Sequence, residues 1–287
     1  MSAGATEAAA LGDWLNAAWD RHADAPREIT DELQRRAATL PDDADGAMAV
    51  RLAEHVLLAH LDDAPALQRL LAALPAGTAL DAAAARARWG LAVLAGEGAP
   101  PVLPDAARWG ALQNVVLALL QRGQLGAARE CLLADEAAAA ASEDAAARRA
   151  YAATANNVAV DLRLGPRGDA ARDALMLDAA ALARRAWERA GTWMHVERAD
   201  YQLAMCHAVL GQGAPARAAA RACLAACERE GADAAERFFA HECNVHAERA
   251  AGDAVAATVH RERMVALLAQ IEDPGLRDWC AGTLVKT

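Results

Sequence analysis

LAMCHAVLGQGAPARAAARAC, residues 203–223, holds the pattern on which the fold turns. An apolar run ends at Leu210, Gly211-Gln-Gly213 makes a short break, and an alanine-rich run follows as far as Cys223. Apolar residues recur three and four apart in both runs, the period of an amphipathic helix, and glycine at a helix end supplies the left-handed backbone that reverses the chain. Two helices joined by so short a link lie antiparallel, so the stretch predicts a helical hairpin. The arrangement recurs around Gly123, Gly165 and Gly252, with separations of 42, 46 and 41 residues between successive loop glycines. Self-similarity of this kind marks a repeat array, in which each hairpin carries an apolar stripe that only the next hairpin covers.

The hairpins from Trp109 to Leu133 and from Leu203 to Cys223 resemble tetratricopeptide repeats. In that family the first helix ends at a glycine and a small residue lies five positions later, where the helices cross; here those residues are Ala128, Ala170, Ala216 and Ala257. The resemblance covers about residues 105–270, and the spacing exceeds the family's repeat of about 34 residues, which longer helices accommodate. It implies an all-α fold, a right-handed α-solenoid of stacked helical hairpins. On this reading residues 1–96 form N-terminal hairpins that cap the array. Residues 105–287 form the repeat region, closed by a C-terminal capping helix over Pro274–Thr283 that places Leu276, Trp279 and Leu284 on the last hairpin.

Upstream, helices are expected over 13–23, 27–40, 45–61, 65–74 and 81–95, each bounded by Pro, Gly or Asp clusters. Gly96-Glu-Gly-Ala-Pro-Pro-Val-Leu-Pro104 is the densest Pro/Gly stretch and the expected boundary between the two parts.

Composition narrows the function. Aromatics make up only 4% of the chain against 55% hydrophobic residues, so alanine and leucine carry the apolar content and favour close-packed helices over sheets. A net charge of −10 argues against phosphate-backbone binding. No basic leader precedes an apolar stretch and no run reaches membrane-spanning length, so a cytoplasmic protein of bacterial style, without membrane contact, is expected. Six scattered cysteines read as reduced thiols. Lysine occurs once, as Lys286, and serine twice, as Ser2 and Ser142, which leaves no Schiff-base or phosphate-loop lysine and no oriented serine nucleophile. No enzyme activity and no cofactor are expected.

In tetratricopeptide repeats the first helix of each hairpin lines a concave groove, where asparagine hydrogen-bonds a partner's backbone. Asn114, Asn156 and Gln202 each lie nine residues before their loop glycine and match that position. Arg163, Arg198, Tyr201, Glu242, His246 and Arg249 are expected on the same face. The resemblance thus implies an adaptor or scaffold that binds a partner peptide or helix. The lysines with which chaperone-binding members grip a terminal carboxylate are missing, since Gln113, Ala155, Tyr201 and Glu242 stand at those positions.

An alternative rests on Cys206-His207, Cys223-x3-Cys227 and His241-x-Cys243-x2-His246, soft ligands dense enough to suggest a metal or thiol redox site. Cys223 and Cys227 share one helix face and Cys243 and His246 another, so Cys223, Cys227, Cys243 and His246 could converge. The short Cys-x2-Cys spacing of structural zinc sites is absent, and buried small thiols in a helical core are the plainer reading. His241 and His246 stand five apart, about 140° around an α-helix, where a metalloprotease helix needs four. The acidic run Asp42–Gly46 has Pro41 in the first ligand place of a calcium loop and Leu52 where its glutamate belongs. Gly165-Pro-Arg-Gly168 follows a helix and is a turn, not a dinucleotide fingerprint. The tryptophans, Trp89, Trp109, Trp187 and Trp193 among them, are expected in the core.

Overall fold

The computed structural model describes residues 3–98 and 100–287, with side chains from Leu11 onward. Met1, Ser2 and Ala99 lie outside the described residues, and with them the expectation for Ser2 and part of the proposed 96–104 boundary. The described residues are all-helical, with no strand.

Two compact units divide between Ala134 and Asp135. The first contains α1 (Ala3–Arg21), α2 (Pro26–Arg36), a 3-10 turn (Ala37–Thr39), α3 (Ala44–His55), a π-turn (Val56–His60), α4 (Ala64–Ala73), α5 (Thr78–Leu94), α6 (Asp105–Gln121) and α7 (Leu125–Leu133). The Pro/Gly stretch 96–104 therefore lies inside this unit, as the link between α5 and α6. Those two helices pack on each other, and α6 also packs on the π-turn, which ties it to the preceding helices.

The acidic run at 42–46 is spent on helix ends, where unpaired backbone N–H groups need acceptors. Asp43 accepts from the N–H groups of Asp45 and Gly46, capping α3, while Asp42 reaches across to accept from Thr78 and Ala79 at 2.9 and 2.7 Å, capping α5. Leu15, Ile29, Leu33, Val50, Leu57, Leu67 and Leu80 build the core between the capped helices.

The second unit contains α8 (Glu136–Ala141), α9 (Ala145–Leu164), α10 (Ala170–Ala190), α11 (Trp193–Val209), α12 (Gly213–Glu230), α13 (Ala234–Ala250), α14 (Ala254–Leu268) and α15 (Pro274–Lys286). Helices adjacent in sequence pack as pairs throughout, from α9 with α10 to α13 with α14. The first helices of successive pairs also touch: α9 meets α11 and α11 meets α13, whereas α10, α12 and α14 make next to no contact with one another. Gly211 takes φ +68° at the end of α11, as the turn requires, and a side chain at Gly213 would strike the backbone of Ala251 at the end of α13.

Ala128, Ala216 and Ala257 are buried at helix crossings, but Ala170 is exposed. The link after α9 is five residues long, with Gly168 rather than Gly165 carrying the positive φ, so the fifth residue after Gly165 only begins α10. Trp89 and Trp109 are core residues; Trp187 and Trp193 are half-buried. In α15 Leu276 and Leu284 pack on the last hairpin, while Trp279 remains 61% exposed beside the Phe239 ring and Cys280 fills the buried place. No described helix is long and apolar enough to cross a membrane.

Candidate functional site

The residues expected to line a groove have three different fates. Asn114 is buried in the first unit: its amide N–H donates to Glu54 Oε1 at 2.8 Å and its oxygen faces His55 Nδ1 at 2.8 Å. α6 packs on α5 and the π-turn, and Asn114 is buried against Glu54 and His55 of α3, so this amide holds the protein's own side chains together and is closed to a partner. Gln202 is also buried, donating to Cys206 Sγ at 3.5 Å. Asn156 is half-buried on α9.

The remaining positions meet on the first helices of the second unit. Tyr201 of α11 donates to Glu242 of α13 at 3.0 Å. Burial pushes the Glu242 carboxyl up, opposed by the Tyr201 hydroxyl and by the positive charge of Arg163 on α9. Burial pushes the Tyr201 phenol well up, and the Glu242 charge adds to it. Burial lowers the His246 imidazole, helped by Arg249 and Arg163, so it is neutral near pH 7. The Nε of half-buried Arg163 is enclosed and has no hydrogen-bond partner, and Arg249 is exposed. Arg198 is taken up by an ion pair with Glu236. The result is a polar strip over α9, α11 and α13 built on the Tyr201–Glu242 hydrogen bond, with Arg163 and His246 beside it.

Three of the four candidate ligands come together, with Cys223 within hydrogen-bonding reach of Cys227 and Cys243. Cys223, Cys227 and Cys243 sit in the apolar core with Ala204, Ala216, Ala220 and Ala247. Cys243 donates to the Ala240 carbonyl at 3.2 Å and Cys223 donates to Glu197 at 2.8 Å. Cys223 and Cys227 are held far above the ordinary thiol range; burial and the nearby Glu197 and Cys243 outweigh the neighbouring thiol's hydrogen bond at Cys223, and that same hydrogen bond with burial raises Cys227. Cys206 is raised by burial to about 11. Thiols held protonated pack as small apolar groups and are poor nucleophiles and ligands. His246 is half-buried. His207 bonds Gln212 at 2.7 Å, and His241 pairs with His260 of α14 at 2.9 Å.

The imidazoles that do come together were not singled out by spacing. His22 follows α1, His55 ends α3 and His60 ends the π-turn; one ring nitrogen of each lies within 4.8 Å of those of the other two. The three ring centroids are each 4.9 Å apart. His55 and His60 face each other through Nε2 at 3.2 Å. Hydrogen bonding from residue i to i+5, made here by Leu61 N–H to the Val56 carbonyl at 3.1 Å, brings side chains five apart onto one face. α6 fastens the turn: Gln121 donates to the Ala59 carbonyl at 3.0 Å, and Arg122 binds both carboxylate oxygens of Asp62, whose φ of 48° is left-handed. Burial, with the neighbouring His60 and His22, takes His55 down to about 4 despite Asn114, and burial also lowers His60. Both are neutral at pH 7. A pairing of His55 with His60 could have been sought only by treating 55–61 as an interrupted helix, and no residue there announces the interruption.

No protein-family model matches the chain, and no curated protein matches its sequence.

Proposed function

We propose that this protein is a cytoplasmic adaptor whose second unit is a tetratricopeptide-like right-handed stack of hairpins, binding a segment of another protein along the first-helix face. The observation that carries this reading is the side-by-side placement of α9, α11 and α13, which gathers Arg163, Tyr201, Glu242 and His246 on one face. First helices that touch while second helices stand apart are what a ribbon curved toward its first helices requires. The strip sets the Arg163 guanidinium and the His246 ring beside the bonded Tyr201–Glu242 pair, which suits an extended segment or a helix carrying an acidic side chain.

Photo-crosslinking in cells tests it. A photo-reactive residue at position 156 or 249, on the first helices, is expected to trap the same partner protein, and one at exposed Ala225 on α12 is expected to trap none. Adding Arg163→Ala should abolish the crosslink. Trapping from position 225 alone, or from none of the three, overturns the proposal.

A further inference from the structure

The histidine cluster of the first unit is separate from the strip on the second, and its chemistry is different. Three imidazoles gathered from α1's end, α3's end and the π-turn each bring one ring nitrogen within 4.8 Å of the other two. Two of them are set in orientation by neighbours that do not belong to the cluster. The Trp19 carbonyl lies 2.5 Å from His22 Nδ1; a carbonyl only accepts, so Nδ1 carries the proton and Nε2 is the free nitrogen. Asn114 donates to Glu54, so its oxygen accepts from His55 Nδ1 and leaves His55 Nε2 free as well. A ring N–H tied to a carbonyl or amide oxygen while the other nitrogen is open is the outer-shell arrangement of metal-ligating histidines.

The spacing fits a particular class of ion. Two nitrogens bound at about 2.05 Å to a tetrahedral centre stand about 3.3 Å apart. The Nε2 atoms of His55 and His60 are at 3.2 Å. His22 lies in the turn after α1 and is half-buried, with a ring nitrogen within 4.8 Å of the other two, so its side chain closes the remaining gap by a torsional adjustment. Behind the rings, fully buried Glu54 sits beside Asn114 and pairs with Arg86 Nε at 3.0 Å, yet its Oε2 has no aligned hydrogen-bond donor. A carboxylate in that position offsets part of a cation's charge through the amide. The Trp19 ring, 5.3 Å from His22 and 5.4 Å from His55, shields one side.

We propose that His22, His55 and His60 form a binding site for a divalent transition-metal ion, zinc by its geometry, with a fourth coordination position open to water. Asn114 and Glu54 are positioning residues, acting through His55. In the metal-free protein His60 Nε2–H donates to His55 Nε2; the ion takes the place of that proton, which His60 then carries on Nδ1.

Zinc titration of the chelator-stripped full chain, in competition with a coloured zinc indicator, tests this. One zinc per chain is expected, with His22→Gln and His60→Gln each weakening it at least tenfold and His241→Gln leaving it unchanged. A wild-type chain that takes up no zinc, or variants that bind as wild type does, overturns the site. Because a variant can fail to fold, the wild-type protein gives a second readout: zinc should slow carbethoxylation of His22 and His60, measured by mass spectrometry, and leave His195 and His207 at their original rates. Equal rates with and without zinc at all four also overturn it.

Discussion

The two units handle buried polar groups in opposite ways. In the first, Arg86, Glu54, Asn114, His55 and His60 form one continuous chain of contacts across α5, α3, α6 and the π-turn. In the second, polar groups pair locally between neighbouring helices: Arg184 with Asp200, Arg217 with Glu248, Tyr201 with Glu242. In a chain of bonds a deleted member strands neighbours on both sides in a low-dielectric interior; in a pair it strands one.

The comparison is broken most sharply at two positions that match in sequence, each nine residues before a loop glycine. Asn114→Leu removes one hydrogen bond each from buried Glu54 and His55 and should cost roughly 3–5 kcal/mol in urea unfolding. Gln202→Leu loses one long bond to a thiol and should cost less than about 1 kcal/mol. Equal costs would show that the network is not cooperative.

A smaller contrast lies in pH. His55 is held at about 4, below the usual 6.5, so the unfolded chain binds the extra proton between those values and stability falls as pH drops from 6.5 to 4. In chelated protein this amounts to about 3 kcal/mol, and His55→Gln should remove that dependence. Glu197 behaves in the reverse sense. Burial lifts its carboxyl to about 7, with Glu236 adding to the rise and Cys223 opposing it, so the folded chain holds the extra proton between 4.5 and 7 and stability is lost as pH rises through that window. Glu197→Gln should therefore stabilise the protein by up to about 3 kcal/mol at pH 8 and by nothing at pH 4. Parallel slopes for the two variants would sink the contrast.

The smallest effect is chemical. Half-buried Cys131 should react with a maleimide in the native state, while Cys206, Cys223, Cys227, Cys243 and Cys280 should wait for unfolding. Rapid native labelling of Cys223 or Cys227 would revive a thiol chemistry for the second unit.

Much of the helical plan was legible. Proline, glycine and aspartate bracket the helices because each has a backbone reason to be there: Asp273 accepts from the Leu276 N–H at 2.6 Å, and Gly123, Gly211 and Gly252 take the left-handed φ that other residues resist. The rule failed at Ala170, where one longer link moved the left-handed position from Gly165 to Gly168. The polar strip was legible in part. Helical register placed Arg163, Tyr201, Glu242 and His246 on one side, but the same register assigned Asn114 to solvent, because it says nothing of what lies above a helix face.

By itself the sequence determined where helices start and stop and which neighbours form hairpins, since caps, turns and apolar period are local properties of the chain. Only the tertiary structure decided which polar residues meet. The burial of Asn114 depends on α5 and the π-turn packing on α6 and on Glu54 and His55 of α3 meeting it, and the meeting of His22, His55 and His60 depends on a single π-turn that re-aims one ring. Both are set by packing between segments distant in the chain, and no local pattern encodes them.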